Sequence, residues 1–89
     1  MYKINGIEFS FREIEILACI IKGRSRKTIA IILHISPETV HSHLKHIRSK
    51  IGCISKDQII DFIESSSEYN LLHKRYFRLM GLDRLIRTS

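Results

Sequence analysis

The sequence holds a single proline and only four glycines, so few strand-and-turn units are punctuated in it. It has just two cysteines, Cys19 and Cys53. Two thiols are no disulfide framework, and they suit a reducing, cytoplasmic setting. Both read as small apolar residues of the interior. Long apolar runs are missing too. The longest, Ile16 to Ile21, is six residues, and Ile29 to Leu33 is five, against the roughly 18 that a membrane span needs. No signal peptide is legible at the start. There is no glycine-rich phosphate loop, no Ser-His-Asp spacing and no paired-carboxylate site, so neither an enzyme nor a cofactor is expected. At 89 residues the chain is one small domain with a thin core, too short for a Rossmann domain or a TIM barrel. Its 44% apolar and 27% charged residues are nevertheless those of a folded chain.

Acidic residues are scarce in one place. The net charge is +6, and residues 1–23 and 57–89 are each neutral. Between them, seven basic residues (Arg24, Arg26, Lys27, Lys45, Arg48, Lys50 and Lys56) face Glu38 alone, so the whole surplus lies in 33 residues. Four of the five histidines lie there as well. A solvated basic face is the plain reading of such a stretch. Confinement to one segment favours a polyanionic partner.

Residues 1–8 show some alternation (Tyr2, Ile4, Ile7) and read as an extended arm. Ser10 and Glu13 have the spacing of a capping box, with Phe9 and Ile14 as its staple. Ile14, Leu17, Ala18 and Ile21 then repeat at helical spacing, and Gly23 stops the first helix. The acidic residues of this helix read as solvated or paired with Arg12. Ser25 caps a second, short helix with Ile29, Ile32 and Leu33 inside, ending near His34. Ser36 caps a third, with Pro37 at its first position and Glu38 in the turn that favours an anion. Val40, Leu44, Ile47 and Ile51 give this helix one apolar stripe, and Gly52 ends it. A second capping box, Ser55 to Gln58, opens a fourth helix through Ile63. Ser65-Ser66-Ser67 breaks it, and Leu72, Tyr76 and Leu79 predict a fifth from about Glu68 to Met80. Leu82, Leu85 and Ile86 hint at a further turn.

A short helix, about three connecting residues and a longer basic helix make the layout of a helix-turn-helix. A helix in the major groove must pack on its own domain with one stripe and offer polar donors on the other side. The third helix meets that need. An ordinary three-helix bundle with a solvated basic face is the plainer alternative. His41 and His43 diverge on a helix and do not readily share a metal ion. His43 and His46 could, but no fixed third and fourth ligands are evident, so no metal is expected.

The motifs resemble the LuxR/GerE-type DNA-binding domain of bacterial transcriptional regulators. The resemblance runs from Phe9 to about Ile63. It is carried by Phe9-Ser10-Phe11-Arg12-Glu13-Ile14-Glu15-Ile16-Leu17, by Gly23-Arg24-Ser25-Arg26-Lys27-Thr28-Ile29-Ala30, and by Ile35-Ser36-Pro37-Glu38-Thr39-Val40-His41-Ser42-His43 with Lys50-Ile51-Gly52. It implies an all-α fold: a four-helix domain over residues 9–64, preceded by the arm and followed by a helical extension over 65–89. It implies double-stranded DNA as partner, with the helix of about residues 37–51 in the major groove. His41, Ser42 and Lys45 stand at the positions that usually face base edges. Lys27, Thr39 and His43 stand where the family touches phosphates, and Arg26 and Arg48 are taken as further phosphate contacts. His41 replaces a common Lys or Arg, and His34 replaces a frequent turn glycine, which leaves the turn geometry open. The fourth helix often makes the dimer contact in this family. A homodimer through that helix and the neutral amphipathic C-terminal helix is therefore expected, with docking of that helix on its own core as the other possibility. The competing function is a helical module that binds a polymerase subunit or regulator instead of DNA. If about five phosphates are neutralised, log K should fall with log salt at a slope near −4 to −5.

Overall fold

The computed structural model describes residues 2–81. The expected arm is instead a β-hairpin, β1 (Tyr2–Ile4) and β2 (Ile7–Phe9), antiparallel with Ile4 opposite Ile7 and Tyr2 opposite Phe9. Asn5 and Gly6 turn it at φ 50° and 81°, the paired left-handed conformation that matches strand twist. The hairpin closes a gap in the core: Ile4 and Phe9 are buried, so Phe9 serves both strand and helical domain. Its tip is tied to residues 62 and 68. The Asn5 amide N–H donates to the Glu68 carboxylate at 2.9 Å, and its side chain donates to the Phe62 carbonyl at 3.2 Å.

Five helices follow: α1 (Phe11–Ile20), α2 (Arg26–Leu33), α3 (Pro37–Ile51), α4 (Lys56–Glu64) and α5 (Tyr69–Leu79). The fold is all-α apart from the hairpin. Both capping boxes form: the Ser10 hydroxyl accepts from the Glu13 amide and Glu13 accepts from the Ser10 amide, and Ser55 and Gln58 do the same. Each such cap is worth about 1 kcal/mol. Ser25 and Ser36 cap α2 and α3 through the amides of Thr28 and Thr39.

α1 is the central element. Every residue from Glu13 to Ile20 is buried, because α2, α3 and α5 all pack against it. A single stripe on α1 was therefore too narrow a reading: Ile16 and Ile20 belong to the core as well, beside Cys19, which is buried as expected. Burial pushes the Cys19 thiol up to about 11, with the nearby Glu15 charge adding to the effect, so this sulfur stays protonated and inert at neutral pH.

α5 docks on its own domain. Leu72 and Tyr76, two of its three stripe residues, are buried, and Leu79 packs against the core. The Arg24 guanidinium donates to the Tyr76 hydroxyl at 2.8 Å and lies over its ring. This corrects the expectation that the stripe is covered by a second copy, since Leu72 and Tyr76 are not available to one. The further turn expected at Leu82, Leu85 and Ile86 lies outside the described residues.

Candidate nucleic-acid interface

The helix-turn-helix pair is α2 and α3, joined by His34, Ile35 and Ser36. His34 takes φ 59° and ψ 43°, the left-handed conformation that a glycine adopts there without strain. The Ile35 amide donates back to the Ala30 carbonyl at 3.0 Å, closing α2 as a glycine cap would. The histidine thus holds the left-handed conformation of this turn, at a local cost of about 1 kcal/mol.

α3 packs inward through Val40, Leu44 and Ile47, all buried, with Ile51 half-buried at its end. The expected base-reading residues His41, Ser42 and Lys45 are all exposed on the other side. Of the expected phosphate contacts, Thr39 of α3 and Arg26 and Lys27 in the first turn of α2 are exposed, while His43 and Arg48 are half-buried on the flanks of α3. Glu38 is exposed too. It precedes Ser42 by four residues and Lys45 by seven, so it shares their face and sets one carboxylate among the donors.

The basic surplus divides. Lys50 is turned toward the domain: its ammonium donates to the Glu13 carboxylate at 2.8 Å and to the Glu8 carbonyl at 3.1 Å. Arg24 is turned toward Tyr76. The other five basic residues of the segment form no ion pair among the described residues. Arg26 of α2 and Arg48 of α3, with Ser25, Leu44, Lys56 and Ile59, line a recess of about 220 Å³. Lys56, which no motif singled out, is held there by donating to the Arg24 carbonyl at 3.0 Å. Three cations at the capped N-terminus of α2 form an anion-attracting recess, because the helix dipole and the orphan amides add to their charge.

Glu13 is the residue whose role the sequence concealed. Its side chain is 2% exposed, so the expectation of a solvated or Arg12-paired carboxylate does not hold for it. Arg12 pairs with Glu15 instead, at 3.0 Å. One Glu13 oxygen accepts from the Ser10 amide and Lys50, and the other lies 2.9 Å from His46 Nδ1. Burial alone would raise its carboxyl. The hydrogen bonds from Lys50, the Ser10 amide and His46 outweigh that and hold it at about 2. An ionised carboxylate only accepts, so His46 Nδ1 carries the proton of this bond. The pair joins the start of α1 to the middle and end of α3, fixing the angle at which α3 presents its outer face.

Among the described residues no group of three or more His, Cys, Asp or Glu side chains comes together to hold a metal ion, and no helix is long and apolar enough to cross a membrane. Residues 8–63 match the bacterial regulatory proteins of the luxR family. The chain is also 43% identical over 53 residues to the "Oxygen regulatory protein NreC" of Staphylococcus aureus strains JH9, JH1 and USA300. That match covers 60% of this chain but 24% of each relative, so the chain spans about a quarter of the length of the curated relatives it matches. No solved structure gives a significant match. With the matched residues taking in α1 through α3 and nearly all of α4, the chain belongs to the luxR family of bacterial regulatory proteins.

Proposed function

We propose that this chain binds double-stranded DNA sequence-specifically, as a bacterial transcriptional regulator acting in the cytoplasm, with α3 in the major groove. The observation that carries the reading is the outer face of α3: His41, Ser42 and Lys45 are exposed, opposite a stripe that is buried. These three side chains read base edges, His41 and Lys45 as donors. Lys27, Thr39, His43, Arg26 and Arg48 hold the phosphates and set the register. Lys56 joins them through the recess it shares with Arg26 and Arg48. The reaction is binding, with no covalent step.

Homodimerisation on a two-fold operator is part of the proposal, through α4 alone. Ile54, just ahead of α4, is 88% exposed, the most exposed large apolar side chain among the described residues.

Two substitutions separate reading from positioning. Lys45→Ala should relax preference at one base position and cost about 1–3 kcal/mol on a cognate site, with little change on random duplex. Lys27→Ala should weaken cognate and random duplex alike and flatten the salt slope by about 0.9. Fluorescence anisotropy on both duplexes at several salt concentrations, and on cognate duplexes changed at single base pairs, measures these effects. Exchanged outcomes would place α2, and not α3, on the bases.

A further inference from the structure

A second surface lies away from the recognition face, in a trough of about 380 Å³ between the hairpin and α5. Its floor is apolar: Ile4, Ile14 and Leu72, with Leu71 at the opening, 65% exposed. Its rim is basic. Lys3, Lys74, Arg75 and Arg78 line it against Glu68 alone, and the Glu68 carboxylate already accepts from the Asn5 amide and the Ser67 hydroxyl. Arg75 is held in place, 3.3 Å from the Tyr2 hydroxyl and 4.9 Å above the Phe11 ring. Tyr2 and Phe11 are themselves part-exposed, at 39% and 49%, and extend the apolar surface beside it.

Three features define what fits. The α5 side of the trough runs from Glu68 to Arg78, about 15 Å along the helix axis, which is about three turns of a second helix. The apolar opening formed by Leu71 and Tyr2 offers nothing to a DNA backbone and would cover a stripe of aliphatic side chains. The rim calls for carboxylates flanking that stripe, and a second copy of this +6 chain brings the wrong overall charge. Of the lining residues only Ile14 falls within residues 8–63, so the trough is built by segments added to the family's module. We infer that this trough is a docking site for an acidic amphipathic helix of a partner protein, with its apolar stripe on Leu71 and the exposed ring of Tyr2 and its carboxylates on Lys74, Arg75 and Arg78.

The test uses a synthetic peptide of about 14 residues with leucine at i, i+3, i+4, i+7 and i+11 and glutamate on both flanks, its lysine-for-glutamate counterpart and a scrambled version. Titrated against the intact chain, the acidic peptide should bind with Kd in the tens of micromolar, about −6 kcal/mol, and the other two at least about tenfold more weakly. Leu71→Asp should weaken the acidic peptide about tenfold or more while leaving duplex DNA affinity unchanged. The double variant Lys74→Glu/Arg78→Glu provides the same reading from the rim, should the first substitution disturb folding. Equal binding of the acidic and basic peptides, or no binding by either up to about 1 mM, overturns the inference. So does a concentration-dependent dimer that Leu71→Asp abolishes, since the occupant would then be a second copy. Competition of duplex DNA with the peptide would overturn it too, by joining the trough to the nucleic-acid face. The peptide arms do not depend on DNA binding, so either reading can fail without the other.

Discussion

Raising the salt from about 50 to 200 mM should lower the affinity for duplex DNA about 150-fold. The figure follows from which cations are free to act. Seven basic residues make up the surplus of residues 24–56, but Arg24 is committed to Tyr76 and Lys50 to Glu13. Lys45 is assigned to a base. That leaves Arg26, Lys27, Arg48 and Lys56 for phosphates, four contacts where charge alone suggested about five. Each phosphate neutralised adds about −0.9 to the slope of log K against log salt, so the slope should be about −3.6. Anisotropy titrations at four or five salt concentrations measure it. A slope nearer about −5.4 would mean that Lys50 and Arg24 leave their protein partners for DNA. A slope near zero would favour the competing function, a module that binds a polymerase subunit or regulator.

Replacing Glu13 with glutamine should destabilise the domain by about 2–3 kcal/mol, although Glu13 lies off the proposed DNA face. The amide can still accept from Ser10, but it gives up the charge that Lys50 and His46 are arranged around. Lys50 is 29% exposed and can turn to water, which keeps the cost below that of stranding a fully buried cation. The pH dependence has a definite sign. The folded-state value of about 2 lies below the ordinary 4.5. Ionised Glu13 therefore stabilises the fold fully above pH 4.5, and that contribution is lost as pH falls from 4.5 toward 2. Urea denaturation across this range should show the wild type losing stability on acidification, by up to about 3 kcal/mol from this group, and Glu13→Gln losing correspondingly less. Parallel acid limbs in the two proteins would mean that the carboxylate is not held as described.

All five helices were legible because each carries its own signals: serine caps before α1, α2, α3 and α4, and apolar residues at helical spacing within each. The hairpin had signals too, in Asn5-Gly6 between two alternating pairs. The strands are only three residues long, and short strands are stable only when packed on something larger, which a local pattern does not reveal. The division of the cations was not legible at all. Lys45 and Lys50 sit on one helix five residues apart, and only the approach of α1 decides that one faces solvent and the other Glu13. The same holds for Glu13. Its capping spacing accounts for one bond to Ser10, while the bonds from Lys50 and His46 come from 37 and 33 residues away. Where α5 would bury its stripe was likewise a question of tertiary packing, answered by Tyr76 meeting Arg24 across 52 residues.

The most direct test of DNA reading by α3 is selection from a randomised duplex pool with the intact, purified chain at low salt. Sequence-specific recognition predicts that successive rounds enrich a shared motif, two-fold symmetric if α4 pairs two copies, and that Lys45→Ala enriches a motif degenerate at one position of each half. A pool that stays at its input composition, with wild-type and Lys45→Ala proteins retaining the same sequences, would contradict it.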